Sequence, residues 1–91
     1  MIIVSQDKLQ IFNFKTAKNI WIEEEEVEIN QIEHVVYSIY IDGEIVGEYE
    51  TKERAKEVLQ EIIKAYLDCN VQNVLAEYAY VKNIVFEMPV E

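Results

Sequence analysis

Two hydrophobic periods divide the chain. Up to Tyr49 the apolar residues fall in short β-like runs, and after Thr51 they recur with the 3.6 period of an α-helix. Ile2-Ile3-Val4 is a β run, Ser5-Gln6-Asp7-Lys8 has turn chemistry and Leu9 to Phe14 is β-rich again, which predicts a hairpin. A third strand is predicted from Asn19 to Glu23, with Ile20 and Ile22 on one face and Trp21 on the other. Val35, Tyr37, Ile39 and Ile41 alternate, Asp42-Gly43 supplies the positive-φ residues of a type I′ turn, and Glu44 to Tyr49 returns as the partner strand. Ala55, Val58, Leu59, Ile62, Ile63, Tyr66 and Leu67 then make one stripe of a helix from Lys52 to Cys69, with Thr51 as N-cap and Asn70 as a left-handed stop. Val71, Val74, Leu75 and Tyr78 continue the spacing, predicting a shorter second helix from Val71 to Lys82, and Ile84 to Met88 closes as a strand stopped by Pro89.

Strands first and helices after predict an α+β fold: an antiparallel β-sheet of five or six strands packed against one long α-helix, with a shorter second helix. No linker or internal repeat divides the chain, so residues 1–91 are expected to form a single domain. One helix covers one face of a sheet, yet Phe14, Trp21, Tyr37 and Tyr40 all need cover. Self-association into a homo-oligomer would hide them.

Composition narrows the class. With 51% apolar residues, two Gly and one Pro in 91 residues, the chain should fold and is neither a linker nor a disordered tail. No apolar run approaches the roughly 18 residues of a membrane span, and no signal peptide is read at Met1-Ile2-Ile3-Val4, so a cytoplasmic, soluble protein is expected. A lone Cys69 makes no internal disulfide, and a single His leaves no structural zinc set. No metal or cofactor is therefore expected. The charge is the informative part: residues 23–50 contain ten acids and no base, which accounts for the whole net charge of −10. Such a field repels phosphate and anionic lipid, which argues against direct nucleic-acid or membrane binding and favours a basic partner.

The candidate chemistry follows from that asymmetry. If Glu23, Glu24, Glu25, Glu26 and Glu28 are extended, alternate acids point the same way at about 6.6 Å spacing, from ~3.3 Å per residue. With Glu33, Glu44 and Glu48 they form an acidic surface that can stand in for a phosphate backbone in a basic groove. A charge run also serves simply as a solvated edge strand that blocks sheet-to-sheet aggregation. The spacing of a calcium loop is absent, and the acids lack the apolar pocket or cation that would split their pKa values for acid/base work. His34 and Cys69 each stand alone, and no Gly-rich phosphate loop or nucleophile elbow occurs, so a non-enzymatic protein is expected. A second possible site is a nucleotide pocket built from Lys8, Lys15, Lys18 and Arg54 for phosphate and Phe14, Trp21 and Tyr37 for base stacking.

Met1-Ile2-Ile3-Val4-Ser5-Gln6-Asp7-Lys8, the run from Gly47-Glu48-Tyr49 through Glu53-Arg54-Ala55-Lys56-Glu57-Val58 to Ile63, and the closing Glu87-Met88-Pro89 carry a resemblance. In these segments the chain resembles a family of small uncharacterised acidic proteins of phages and mobile elements of Gram-positive bacteria. The resemblance implies no reaction and transfers no functional residue. It implies a setting, a bacterial host cytoplasm in which small acidic proteins antagonise host defence by binding. The expected function is accordingly a host-defence antagonist that docks on a basic host protein of the nucleic-acid-binding kind. An oligomeric sponge for a nucleotide immune signal, and a structural or assembly protein of the element, are the alternatives.

Overall fold

The computed structural model describes residues 1–75 and 85–91, the side chains of 69–75 excepted. The element order is β1 (Ile2–Val4), β2 (Ile11–Asn13), β3 (Ile20–Ile29), β4 (Ile32–Ile41), β5 (Glu44–Tyr49), α1 (Lys52–Leu75) and β6 (Val85–Glu87). The fold is α+β, but among the described residues the strands form two three-stranded sheets of order β2-β1-β6 and β3-β4-β5 rather than one. Nor is the first of these wholly antiparallel, because β6 runs parallel to β1, with Ile3 opposite Phe86. Both sheets feed one core. Ile3 from the first joins Ile39, Ile41, Val46 and Tyr49 from the second and Ala55, Val58 and Ile62 from the helix. Two small sheets and α1 together bury these residues, which one flat sheet of six strands against α1 would leave half uncovered.

The Asp42-Gly43 turn forms as its residues dictate, with φ of 49° and 88°. The Asp42 carboxylate also accepts the backbone N–H groups of Lys18 and Asn19, both at 2.9 Å, and so ties the entry of β3 to this turn. Between Ile39 and Tyr40 the β4–β5 ladder shifts, since Ile39 faces Gly47 while Tyr40 faces Ile45. Val46 is the extra residue, and the bulge turns it into the core. Gly47 has no room for a side chain, because a Cβ there would lie 3.0 Å from both the Met88 methyl and the Tyr49 hydroxyl.

Gln6 joins the sheets. Its backbone N–H donates to Val46 O at 2.7 Å, and its side-chain Oε1 accepts from the Glu48 N–H at 2.8 Å. Its Nε2 lies within hydrogen-bond distance of the carbonyls of Glu48, Pro89 and Val90. The amide thus behaves like a short piece of strand, satisfying the free edge of β5 and the chain end together. The Tyr49 hydroxyl adds a bond to Pro89 O at 2.8 Å.

Thr51 caps α1 as anticipated, its hydroxyl accepting the Arg54 N–H at 3.1 Å. Asn70 does not stop the helix, which runs on to Leu75, so Cys69 is not at its end. Asn costs a helix only about 0.7 kcal/mol or less relative to Ala and, with no Gly or Pro beside it, yields to the continuing apolar period. No second helix is present among the described residues; positions 76–82 of the one anticipated lie outside them, as does Ile84 of the last strand. The apolar stripe is only partly used: Ala55, Val58 and Ile62 are buried, whereas Ile63 and Leu67 are exposed. No helix among the described residues is long and apolar enough to cross a membrane.

Replacing Ile39, fully buried on the central strand, by Ala should cost about 2–5 kcal/mol in urea unfolding. Ile32→Ala on the same strand, at an exposed position, should stay within about 0.5 kcal/mol of wild type.

Candidate functional site

The acidic run is a strand. β3 extends to Ile29 rather than ending near Glu23, and β4 begins at Ile32 rather than Val35, so the glutamates pair residue by residue with a β-rich partner. Glu24 faces Tyr37, Glu25 faces Val36 and Glu26 faces Val35. Cross-strand contacts with aromatic and β-branched neighbours compensate for the poor β propensity of Glu. Asn30 and Gln31, with φ of 53° and 64°, make the tight turn that reverses the chain. Asn tolerates this conformation, but Gln in the second position hides the usual Asn-Gly signature of such a turn.

The last residue of β5, Tyr49, pairs with Tyr37. Beyond that point Glu25 to Ile29 and Ile32 to Val36 continue, among the described residues, as a two-stranded arm without a third strand. Strand periodicity then sorts the acids onto two faces rather than the single surface anticipated. Glu24, Glu26 and Glu28, with Glu33 across from Glu28, lie on the continuation of the core-facing side. Glu23 and Glu25 lie on the opposite, outer side, joined there by Glu48 opposite Ser38. Glu44 stands apart beside the Asp42-Gly43 turn, where it accepts the Gln10 amide at 2.9 Å. Among the described residues no lysine or arginine lies within 4.0 Å of any of these eight carboxylates; the ion pairs are Lys8 with Glu87, and Arg54 with Glu57 and Glu61.

Hydroxyl groups hold two of the acids. The Tyr37 hydroxyl donates to Glu24 at 3.0 Å, the Ser38 hydroxyl donates to Glu25 at 3.2 Å, and the Tyr40 hydroxyl donates to the second oxygen of Glu25. A proton shared with a carboxylate is harder to lose. The bond to Glu24 raises Tyr37 above the ordinary phenol value, and the bond to Glu25, with burial and the negative charges of Glu25, Glu23 and Glu48, pushes Tyr40 up to about 12. Tyr40 is also stacked on Trp21, with ring centroids 5.2 Å apart and planes within 4°. This ladder of hydroxyls and rings was not anticipated, although the alternation of Trp21, Glu23 and Glu25 against Ser38 and Tyr40 would place them together once the register is known.

The residues proposed for a nucleotide pocket do not assemble as a set. Lys8 pairs with Glu87 at 3.7 Å, Arg54 binds the Glu91 carbonyl and the acids of its own helix, Trp21 is on the outer face and Tyr37 is tied to Glu24. Lys8 lies in the turn after β1, Arg54 lies on α1, and strand alternation puts Trp21 and Tyr37 on opposite faces of the β3-β4-β5 sheet. Phe14, Lys15 and Lys18 do come together, lining a cleft of 230 Å³ with Ile20 and Tyr66. Phe14 meets Tyr66 edge to face at 4.9 Å there. His34 is exposed on β4 opposite Val27. Among the described residues no group of three metal-ligating side chains is gathered.

The raised tyrosine values set a pH limit. Each such hydroxyl keeps its proton better in the fold than in the unfolded chain, so its contribution to stability is complete below pH ~10 and is lost as pH rises toward about 12 for Tyr40. In an ultraviolet titration of tyrosinate, Tyr40→Phe should remove one of two ionisations with midpoint near 12 and leave the other, that of the buried Tyr49, unchanged.

No family model, curated protein or solved structure matches this chain.

Proposed function

We propose that this chain is a non-enzymatic binding protein that presents its acidic arm to a basic, nucleic-acid-binding protein of a bacterial host and so antagonises host defence. The observation that carries this reading is the row of Glu24, at the root of the two-stranded arm, and Glu26 and Glu28 along it with Glu33 beside them, where no cation among the described residues compensates them. Carboxylates about 6.6 Å apart along one strand offer a groove built for phosphates a regular succession of negative charges. The arm keeps the charges clear of the core, so they remain hydrated and cost the fold little. Long-range attraction then steers a basic partner, within a Debye length of about 8 Å at physiological salt. The phage or mobile-element setting is proposed from the likeness of the two chain ends and the helix to that family. β3 is also an edge strand, and its acids discourage pairing with other sheets. The two roles are compatible, and only the first depends on a partner.

A second reading is favoured by the cleft of Phe14, Lys15 and Lys18, where two lysines and two aromatic rings meet on a chain of net charge −10. Such a cleft suits a small planar anion, the chemistry a nucleotide sponge requires.

The triple variant Glu24→Gln, Glu26→Gln, Glu28→Gln should keep the wild-type far-ultraviolet circular dichroism spectrum. In capture from host lysate it should lose the basic protein that wild type retains, a weakening of at least about tenfold. Equal retention by both proteins would remove the docking reading. A thermal-shift screen against cyclic and linear nucleotides separates the second reading, since only a ligand binder gains melting temperature with concentration. A shift abolished by Lys15→Ala with Lys18→Ala would establish it.

A further inference from the structure

We infer that the outer face of the β3-β4-β5 sheet is a recognition patch for arginine side chains of the basic partner, an inference that rests on the docking reading and names the chemistry of that partner. The register sets two adjacent rows on this face. Trp21, Tyr40 and Ile45 stand side by side in one, and Glu23, Ser38 and Glu48 in the next. Rows two residues apart are separated by about 6.6 Å, a distance an arginine side chain spans. Helix α1 packs on the opposite side, against Ile39 and Ile41, and Trp21 and Ile45 remain 37% and 38% exposed. The platform is rigid: Tyr40 is held by its stack on Trp21 and by its hydroxyl bond to Glu25, which Ser38 also engages. Glu23 and Glu48 differ from Glu25. Among the described residues their carboxylates take no hydrogen bond and no ion pair, so both are available to an incoming cation.

A guanidinium suits this arrangement better than an ammonium. Its flat face stacks on an indole while its edge donates two parallel bonds to a carboxylate, and it is less strongly hydrated than the compact lysine head. A second copy of this chain fits poorly, since it would bring another charge of −10 against the same carboxylates.

Trp21 is the single tryptophan of the chain, so its emission reports on this face directly. Wild-type protein titrated with an oligoarginine peptide at physiological salt should show a saturable emission change. An oligolysine peptide of equal length should bind about two- to fivefold more weakly. The double variant Glu23→Gln, Glu48→Gln, with an unchanged circular dichroism spectrum, should lose the emission change. Calorimetric binding that leaves the emission unaltered and is lost only in the Glu24, Glu26, Glu28 triple variant would overturn the patch while sustaining the docking reading. Emission that shifts with protein concentration alone would assign the face to a second copy and overturn the patch. Failure of both peptides to bind would also overturn it, leaving the docking reading to the lysate capture.

Discussion

The pairing of β3 with β4 over ten residues is the constraint from which the remaining features follow. Ile20 and Ile22 face Ile41 and Ile39 at one end, and that apolar match pins the register. A slip by one residue would move every side chain of the ladder to the other face. With the register pinned, the glutamates beyond Ile22 have no choice of direction: Glu24, Glu26 and Glu28 continue the core side, while Glu23 and Glu25 face outward. The placement of the acidic side chains is thus a consequence of core packing at the opposite end of the same two strands.

Outside that ladder, polar bonds hold the small fold together. Among the described residues the core is a cluster of nine buried side chains, and the sheets that contribute to it are linked by the Gln6 amide, which stands in for a missing strand at the edge of β5. The same amide reaches the carbonyls of Pro89 and Val90, and Tyr49 also bonds Pro89, so the turn after β1 and residues 89–90 converge on one edge. These contacts end at Tyr49, where the arm begins, and leave the arm itself unencumbered by the described residues.

The price of concentrating acid on one arm is limited by geometry. Glu28 and Glu33 stand directly opposite one another, an unfavourable pair, but they lie next to the turn where water surrounds them. Glu24 and Glu25, nearer the body of the fold, are the ones that receive hydroxyl donors from Tyr37, Ser38 and Tyr40. Charge compensation is thus supplied by neutral donors where hydration is reduced and by water where it is not, leaving the net charge intact.

The local elements were legible because local chemistry decides them. Asp42-Gly43 demands its turn, Thr51 its cap, and the stripe from Ala55 to Ile62 its helix. The uneven charge is likewise a property of the chain alone. What the chain did not disclose is whatever depends on partners remote in sequence. β6 lies parallel beside β1 although more than eighty residues separate Ile3 from Phe86, and no local period encodes that pairing. Asn70 looked like a helix stop because the cost of a left-handed residue is local, whereas the continuation to Leu75 follows the longer apolar period. The acidic run read as one surface, yet only the register with β4 could divide it into two faces, set Trp21 on Tyr40, and scatter Lys8, Arg54 and Tyr37 away from Phe14. Residue type determined that this protein carries a concentrated negative charge; strand pairing, with its period of two, decided where that charge points.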